Sequence, residues 1–174
     1  IFKDINDYSI NSAIHAIGNS YSEEEKDKGF DKALEFAVLV LKGEISKAEE
    51  KIEGERHTTE AILKQNEPEV LVLDQYASWG HTVSKYKNVK LVIFPDKHTT
   101  GWCVRTATDK GEGFGTDRIK FPQNWRGLST AELSEACGVD GSVFCHLGGW
   151  FAVNNTKDGG VEMAKKTIEA GEMA

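Results

Sequence analysis

The sequence predicts an α/β protein, with α+β as the variant: a helical hairpin first, then a mixed sheet with flanking helices. Three observations carry this reading. Apolar residues recur at helical spacing over the first third of the chain. At Pro68 the pattern changes to short apolar runs of strand type. Between and after those runs stand segments with helix start and stop signals. At 174 residues the chain has the size of one large domain or two small ones. We divide it into a helical region, 1–66, and a mixed α/β region, 67–174, expected to form one compact unit.

The elements follow in order. Ile10, Ala13, Ile14 and Ile17 repeat at helical spacing, and Gly18 offers a stop. Ser22 with Glu25 forms a capping-box pattern. It predicts a helix to about Leu41, with Phe30, Leu34, Ala37 and Leu41 on one stripe. Phe36 and Val40 widen that stripe, which predicts burial. Gly43 is expected to break the helix, and Ile45 to Leu63 to form a second, more exposed one. Val70–Leu73, Lys90–Phe94, Trp102–Thr106, Ser142–His146 and Trp150–Val153 read as five strands. Ser129 and Glu132 predict a capped short helix ending at Gly138. A last helix should follow Thr156 and end at Gly171.

Charge narrows the function. The net charge of -7 excludes a broadly basic nucleic-acid coat. The acidity sits in residues 1–66, net -5, and 127–174, net -4. Residues 101–126 are locally basic at +2 and contain Arg105, Lys110, Arg118, Lys120 and Arg126. A polyanion would have to meet that stretch. No apolar run has a membrane-spanning length, so no membrane partner is expected. Cys103, Cys137 and Cys145 form no C-x-x-C pair, and the five histidines show no H-x-x-x-H spacing. Buried thiols in a reducing compartment are expected: the cytoplasm, or a mitochondrion or nucleus in a eukaryote. The chain opens Ile1-Phe2-Lys3-Asp4 without an initiator Met, and we read it as the C-terminal part of a longer protein.

Three stretches could carry chemistry, each with a plainer alternative. Gly111-Glu112-Gly113-Phe114-Gly115 could bring backbone N–H groups to a phosphate, or be a flexible loop. His146-Leu147-Gly148-Gly149 ends a strand, and Asn154-Asn155-Thr156-Lys157 opens a helix. Together they could hold a phosphodiester through glycine N–H groups, a helix N-terminus and Lys157, with Arg105 and Arg126 assisting. A core histidine and an ordinary Thr cap would read the same. In Phe121 to Leu128, Trp125 beside Arg126 could stack on a base or clamp phosphate, or anchor a loop to the core. Trp102, Trp125 and Trp150 are the candidate base-stacking tryptophans.

These strings also carry a family resemblance. Trp102-Cys103-Val104-Arg105, Phe114 to Arg118, Pro122-Gln123-Asn124-Trp125-Arg126-Gly127-Leu128, Phe144-Cys145-His146, Gly149 and Asn154-Asn155-Thr156-Lys157-Asp158-Gly159 are similar to the C-terminal half of the melanocyte-proliferating-gene exonuclease family. Its members were formerly described as metal-dependent protein hydrolases and are placed in the DHH phosphoesterase superfamily. The resemblance implies a substrate-binding, DHH-associated domain of a metal-dependent phosphoesterase or 3′–5′ exonuclease acting on RNA, DNA or oligonucleotides. It implies a divalent metal, manganese by expectation, held mainly by an N-terminal half with an Asp-His-His signature that this sequence lacks. That half would be the partner, and a phosphodiester or nucleotide the substrate. Asp4 and Asp7 resemble a late metal-ligand stretch, or cap the helix that follows.

On this basis His146 is the candidate catalytic residue. Arg105, Arg118, Trp125, Arg126, Gly148, Gly149, Asn154, Thr156 and Lys157 are the candidate substrate contacts. Cys103 stands where the family has Arg, with Arg105 on the same strand face two residues on. The rival reading is a non-catalytic module that binds nucleotide, RNA or protein.

Overall fold

A computed structural model describes residues 9–19, 22–97, 99–110 and 115–172. Helix α1, Ile10–Gly18, starts at Ser9, whose Oγ accepts from the Ser12 N–H at 3.2 Å. Helix α2 is one unbroken element, Glu23–Lys64, so the expected break at Gly43 does not occur. An interior glycine costs a helix only about 0.5–1 kcal/mol. Strong helix formers on both sides carry it through, with no proline or cap to stop it. The expected burial also fails. Phe30, Leu34 and Leu41 are more than half exposed, while Ala33 is buried. No atom lies within 4 Å of a Cβ built on Gly43. Gly43→Ala is therefore expected to stabilise the chain by about 0.5–1 kcal/mol, read as a higher urea midpoint. A lower midpoint would mean that α2 is not a continuous helix in solution.

After Pro68 the strands are β1 (Val70–Val72), β2 (Leu91–Pro95), β3 (Trp102–Thr106), β4 (Ser142–Cys145) and β5 (Phe151–Asn154). They form one mixed sheet in the order β1-β2-β3-β5-β4. β1 and β2 are parallel; the other neighbours are antiparallel. The parallel pair needs a crossover, and helix α3, Gly80–Lys85, lies in it. Six residues are too few to show a period, so the sequence offered no signal for α3. Helix α4, Thr130–Cys137, ends at Gly138 in the left-handed conformation, φ 62°. Ser129 sits at its N-cap, but the expected side-chain cap is not formed. Helix α5, Lys157–Glu172, runs through Gly171, a shift within ordinary fraying.

The chain divides into two units, Ile1–Glu50 and Lys51–Ala174, with the whole sheet in the second. One sheet face buries Leu91, Ile93, Val104 and Ala152 against Met163, Ala164 and Ile168 of α5, with Leu133, Phe121 and Trp125. The other face buries Leu71, Val92, Phe94 and Cys103 beneath Trp79, Val83 and Ile62. This second cover thins out toward β5 and β4. Phe151 and Val153 are half-buried there and Phe144 is 37% exposed. No helix among the described residues is long and apolar enough to cross a membrane.

Candidate functional site

Strand register decides which candidates meet. At the start of β5, Phe151 pairs with Arg105; at its end, Asn154 pairs with Trp102 and Ser142. The strand separates these ends by about 10 Å at roughly 3.3 Å per residue. His146, Gly148 and Gly149 precede β5, while Thr156 and Lys157 follow it. The residues read as one constellation thus fall at opposite ends of the strand.

At the first end, the Gly148 N–H donates to His146 Nδ1 at 2.9 Å. This assigns the neutral imidazole proton to Nε2 and leaves that nitrogen as the donor. The ring lies 4.6 Å from the Trp150 ring and 6.3 Å from that of Phe144. Gly149 adopts φ +70°, and a Cβ there would lie 2.5 Å from Arg126 Nε. The Gly149 N–H donates to the His146 carbonyl at 2.8 Å. Both glycine N–H groups therefore serve the turn itself. What the turn presents is the imidazole and the guanidinium packed over Gly149.

Two cations pack on the turn that carries this histidine, Arg126 on Gly149 and Arg105 on the Trp150 ring. Arg126 donates through Nε to the Phe121 carbonyl at 2.8 Å and through Nη1 to Gln123 Oε1 at 2.6 Å. The Phe121 N–H in turn donates to the Gly149 carbonyl, which ties the Trp-Arg-Gly-Leu stretch to the turn. Trp125 is buried in the core, 4% exposed. Arg105 is exposed, its guanidinium 5.7 Å from the Trp79 ring and 5.3 Å from the Trp150 ring. Neither Arg105 nor Arg126 has a carboxylate partner among the described residues. A cation packed on aromatic faces keeps its charge available to an anion.

The other end is built differently. Asn154 is fully buried. Its Oδ1 accepts from Thr156 N and Oγ1 at 2.9 and 3.1 Å, and its Nδ2 donates to the Asp140 carbonyl at 3.0 Å. Thr156 Oγ1 accepts from the Gly159 N–H at 3.0 Å and caps α5. Lys157 Nζ pairs with Asp74 at 2.6 Å and lies over the Trp102 ring. That amine holds the Asp74 carboxyl below the usual carboxylate range. Arg118 also lies apart from His146. Its buried guanidinium donates to the Tyr86 and Val89 carbonyls at 2.8 and 2.6 Å, beyond the end of α3.

Asp4, Asp7 and residues 111–114 of the glycine-rich loop lie outside the described residues. Among those described, no group of three or more His, Cys, Asp or Glu could hold a metal ion. The cysteines are buried, and desolvation pushes the Cys103 and Cys145 thiols up to about 11, which makes them poor nucleophiles at neutral pH. Two residues of the His146 neighbourhood escaped the sequence reading. Phe144 stands two positions before His146, so period-two alternation carried its signal. Trp79 lies far off in sequence, and no local pattern brings it to Arg105.

The family model MYG1_exonuc, described as an uncharacterised protein family (UPF0160), matches residues 3–168. The chain belongs to this family. A MYG1 protein of Schizosaccharomyces pombe is 33% identical over 117 residues, covering 63% of this chain and 35% of the relative. A MYG1 protein of Saccharomyces cerevisiae is 26% identical over 183 residues, covering 96% of this chain and 53% of the relative. The relative from Homo sapiens, named a MYG1 exonuclease, is 29% identical over 77 residues, covering 44% of this chain and 20% of the relative. This MYG1-family chain thus spans from 20% to about half of the length of these three relatives. No solved structure matches it significantly.

Proposed function

We propose that this chain is the substrate-binding part of a MYG1-type nuclease, the C-terminal half of a metal-dependent 3′–5′ exonuclease of the DHH superfamily. The observation that carries this is the His146–Trp150 turn, with Arg105 against its Trp150 ring and Arg126 packed on its Gly149, two cations with no carboxylate partner among the described residues. The mouse and human relatives, named MYG1 exonucleases, support the nuclease class. Neutral His146 would donate a hydrogen bond from Nε2 to a phosphodiester oxygen as negative charge develops there. The arginines would offset the phosphate charge. In this reading the metal is held mainly by the N-terminal half, with Asp4 and Asp7 as the candidate ligands that this chain adds.

The test is binding by the 174-residue chain to a short single-stranded oligonucleotide across a salt series, with manganese present. Binding without cleavage is expected. Its logarithmic salt slope should fall by roughly 0.7 for each phosphate contact removed, as in Arg105→Ala. Cleavage by this chain would place a metal site within it, and salt-insensitive binding would overturn the phosphate contacts.

A further inference from the structure

We propose that the aromatic row running from Phe144 on β4 through His146 and Trp150 of the connecting turn to Phe151 on β5 is a base-stacking platform that selects single-stranded nucleic acid. This rests on the phosphate-binding reading above and deepens it. A solvent-facing side of an antiparallel sheet ordinarily carries polar residues in alternation with the core. Here the positions left partly open are apolar: Phe144, Phe151 and Val153 on the strands, with Trp150 in the turn between them. Phe144 is 37% and Trp150 36% exposed, and Phe151 is half-buried.

The rings form a connected row. Phe144 lies 6.3 Å from His146, His146 4.6 Å from Trp150, and Trp150 5.6 Å from Phe151. Of the three tryptophans named as stacking candidates, Trp125 is buried and Trp102 packs on the α5 side of the sheet. Trp150 remains, exposed in the turn between β4 and β5 and 5.6 Å from the Phe151 ring. An exposed apolar patch of this kind marks an interaction site.

Charge identifies the occupant. Arg105 lies 5.3 Å from the Trp150 ring and Arg126 packs on the neighbouring Gly149; both are cations with no carboxylate partner among the described residues, within a stretch of net charge +2. Aromatic rings beside such cations match a chain that presents flat bases on a polyanionic backbone. A duplex has its base faces already stacked, and so offers only phosphate. Base faces and phosphates together are offered by a single strand.

The experiment compares three probes on the 174-residue chain: a single strand of about ten nucleotides, an abasic strand with the same sugar-phosphate backbone, and the duplex. The base-bearing strand is expected to bind about tenfold more tightly than the abasic strand. The duplex should bind no better than the abasic strand. Phe144→Ala should remove most of the tenfold difference and leave abasic binding unchanged, with folding verified by its urea midpoint. Trp150→Ala should also remove the difference. Equal affinity for base-bearing and abasic strands would overturn the platform while leaving the phosphate contacts standing. So would a duplex bound as tightly as the single strand. Absence of binding to every probe would overturn both readings. Self-association lost in Phe144→Ala would make a second copy of the chain the occupant, and would also overturn the proposal.

Discussion

His146→Ala, placed in the full-length protein, is expected under the proposed nuclease function to lower turnover by roughly 10²–10³, the loss that follows removal of a positioned hydrogen-bond donor to developing charge. The expectation rests on the imidazole's tautomer. Nδ1 is engaged by the Gly148 N–H, so the proton left for substrate is on Nε2. The same bond complicates a simple deletion, because alanine also removes a hydrogen bond worth about 1 kcal/mol to the turn. His146→Asn separates the two effects. Its side-chain oxygen can still accept from Gly148, but nothing then occupies the Nε2 position. Asparagine should therefore keep the urea midpoint close to that of the parent and still lose turnover, mainly in kcat. Unchanged turnover on oligonucleotides would remove His146 from the chemistry. Recovery of activity in the asparagine variant would make its role the shape of the turn.

Asn154→Ala is expected to cost about 3 kcal/mol or more in stability, because buried partners left unpaired cost about 1–3 kcal/mol each. The side chain holds the start of α5, through Thr156, to the start of β4, through Asp140 and Ser142. Close packing adds to this. A Cβ on Gly159 would lie 2.3 Å from Asn154 Oδ1, so the glycine gives the amide its room. Urea denaturation measures the loss directly, against a total that for natural domains is about 5–15 kcal/mol. A loss below about 1 kcal/mol together with weakened oligonucleotide binding would instead put Asn154 against the ligand.

The contrast between these two residues shows how far sequence reasoning reached. Both stood in one motif order, His-x-x-Gly followed by Asn-x-Thr-Lys, and nothing in the spacing distinguished them. The strand between them turned one into a half-buried imidazole on a turn against which two arginines pack and the other into a saturated buried amide. Arg105 and Arg118 diverge in the same way. Both belong to the basic stretch, yet Arg105 lies exposed beside two tryptophans and Arg118 is spent on the carbonyls that follow α3.

The sequence by itself determined the mixed α/β class, the place of all five strands, the final helix and family membership. Those properties are written in local periodicity, turn residues and motif strings, which need no knowledge of distant neighbours. Tertiary structure alone decided that α3 fills the crossover. It also decided that Arg105 lies exposed against Trp79 and Trp150, while Arg118 and Trp125 are buried. Each of these depends on which strands pair, in what register and beneath which helix. Those choices are set by burial summed over residues far apart in the chain, so no single stretch of sequence contains them.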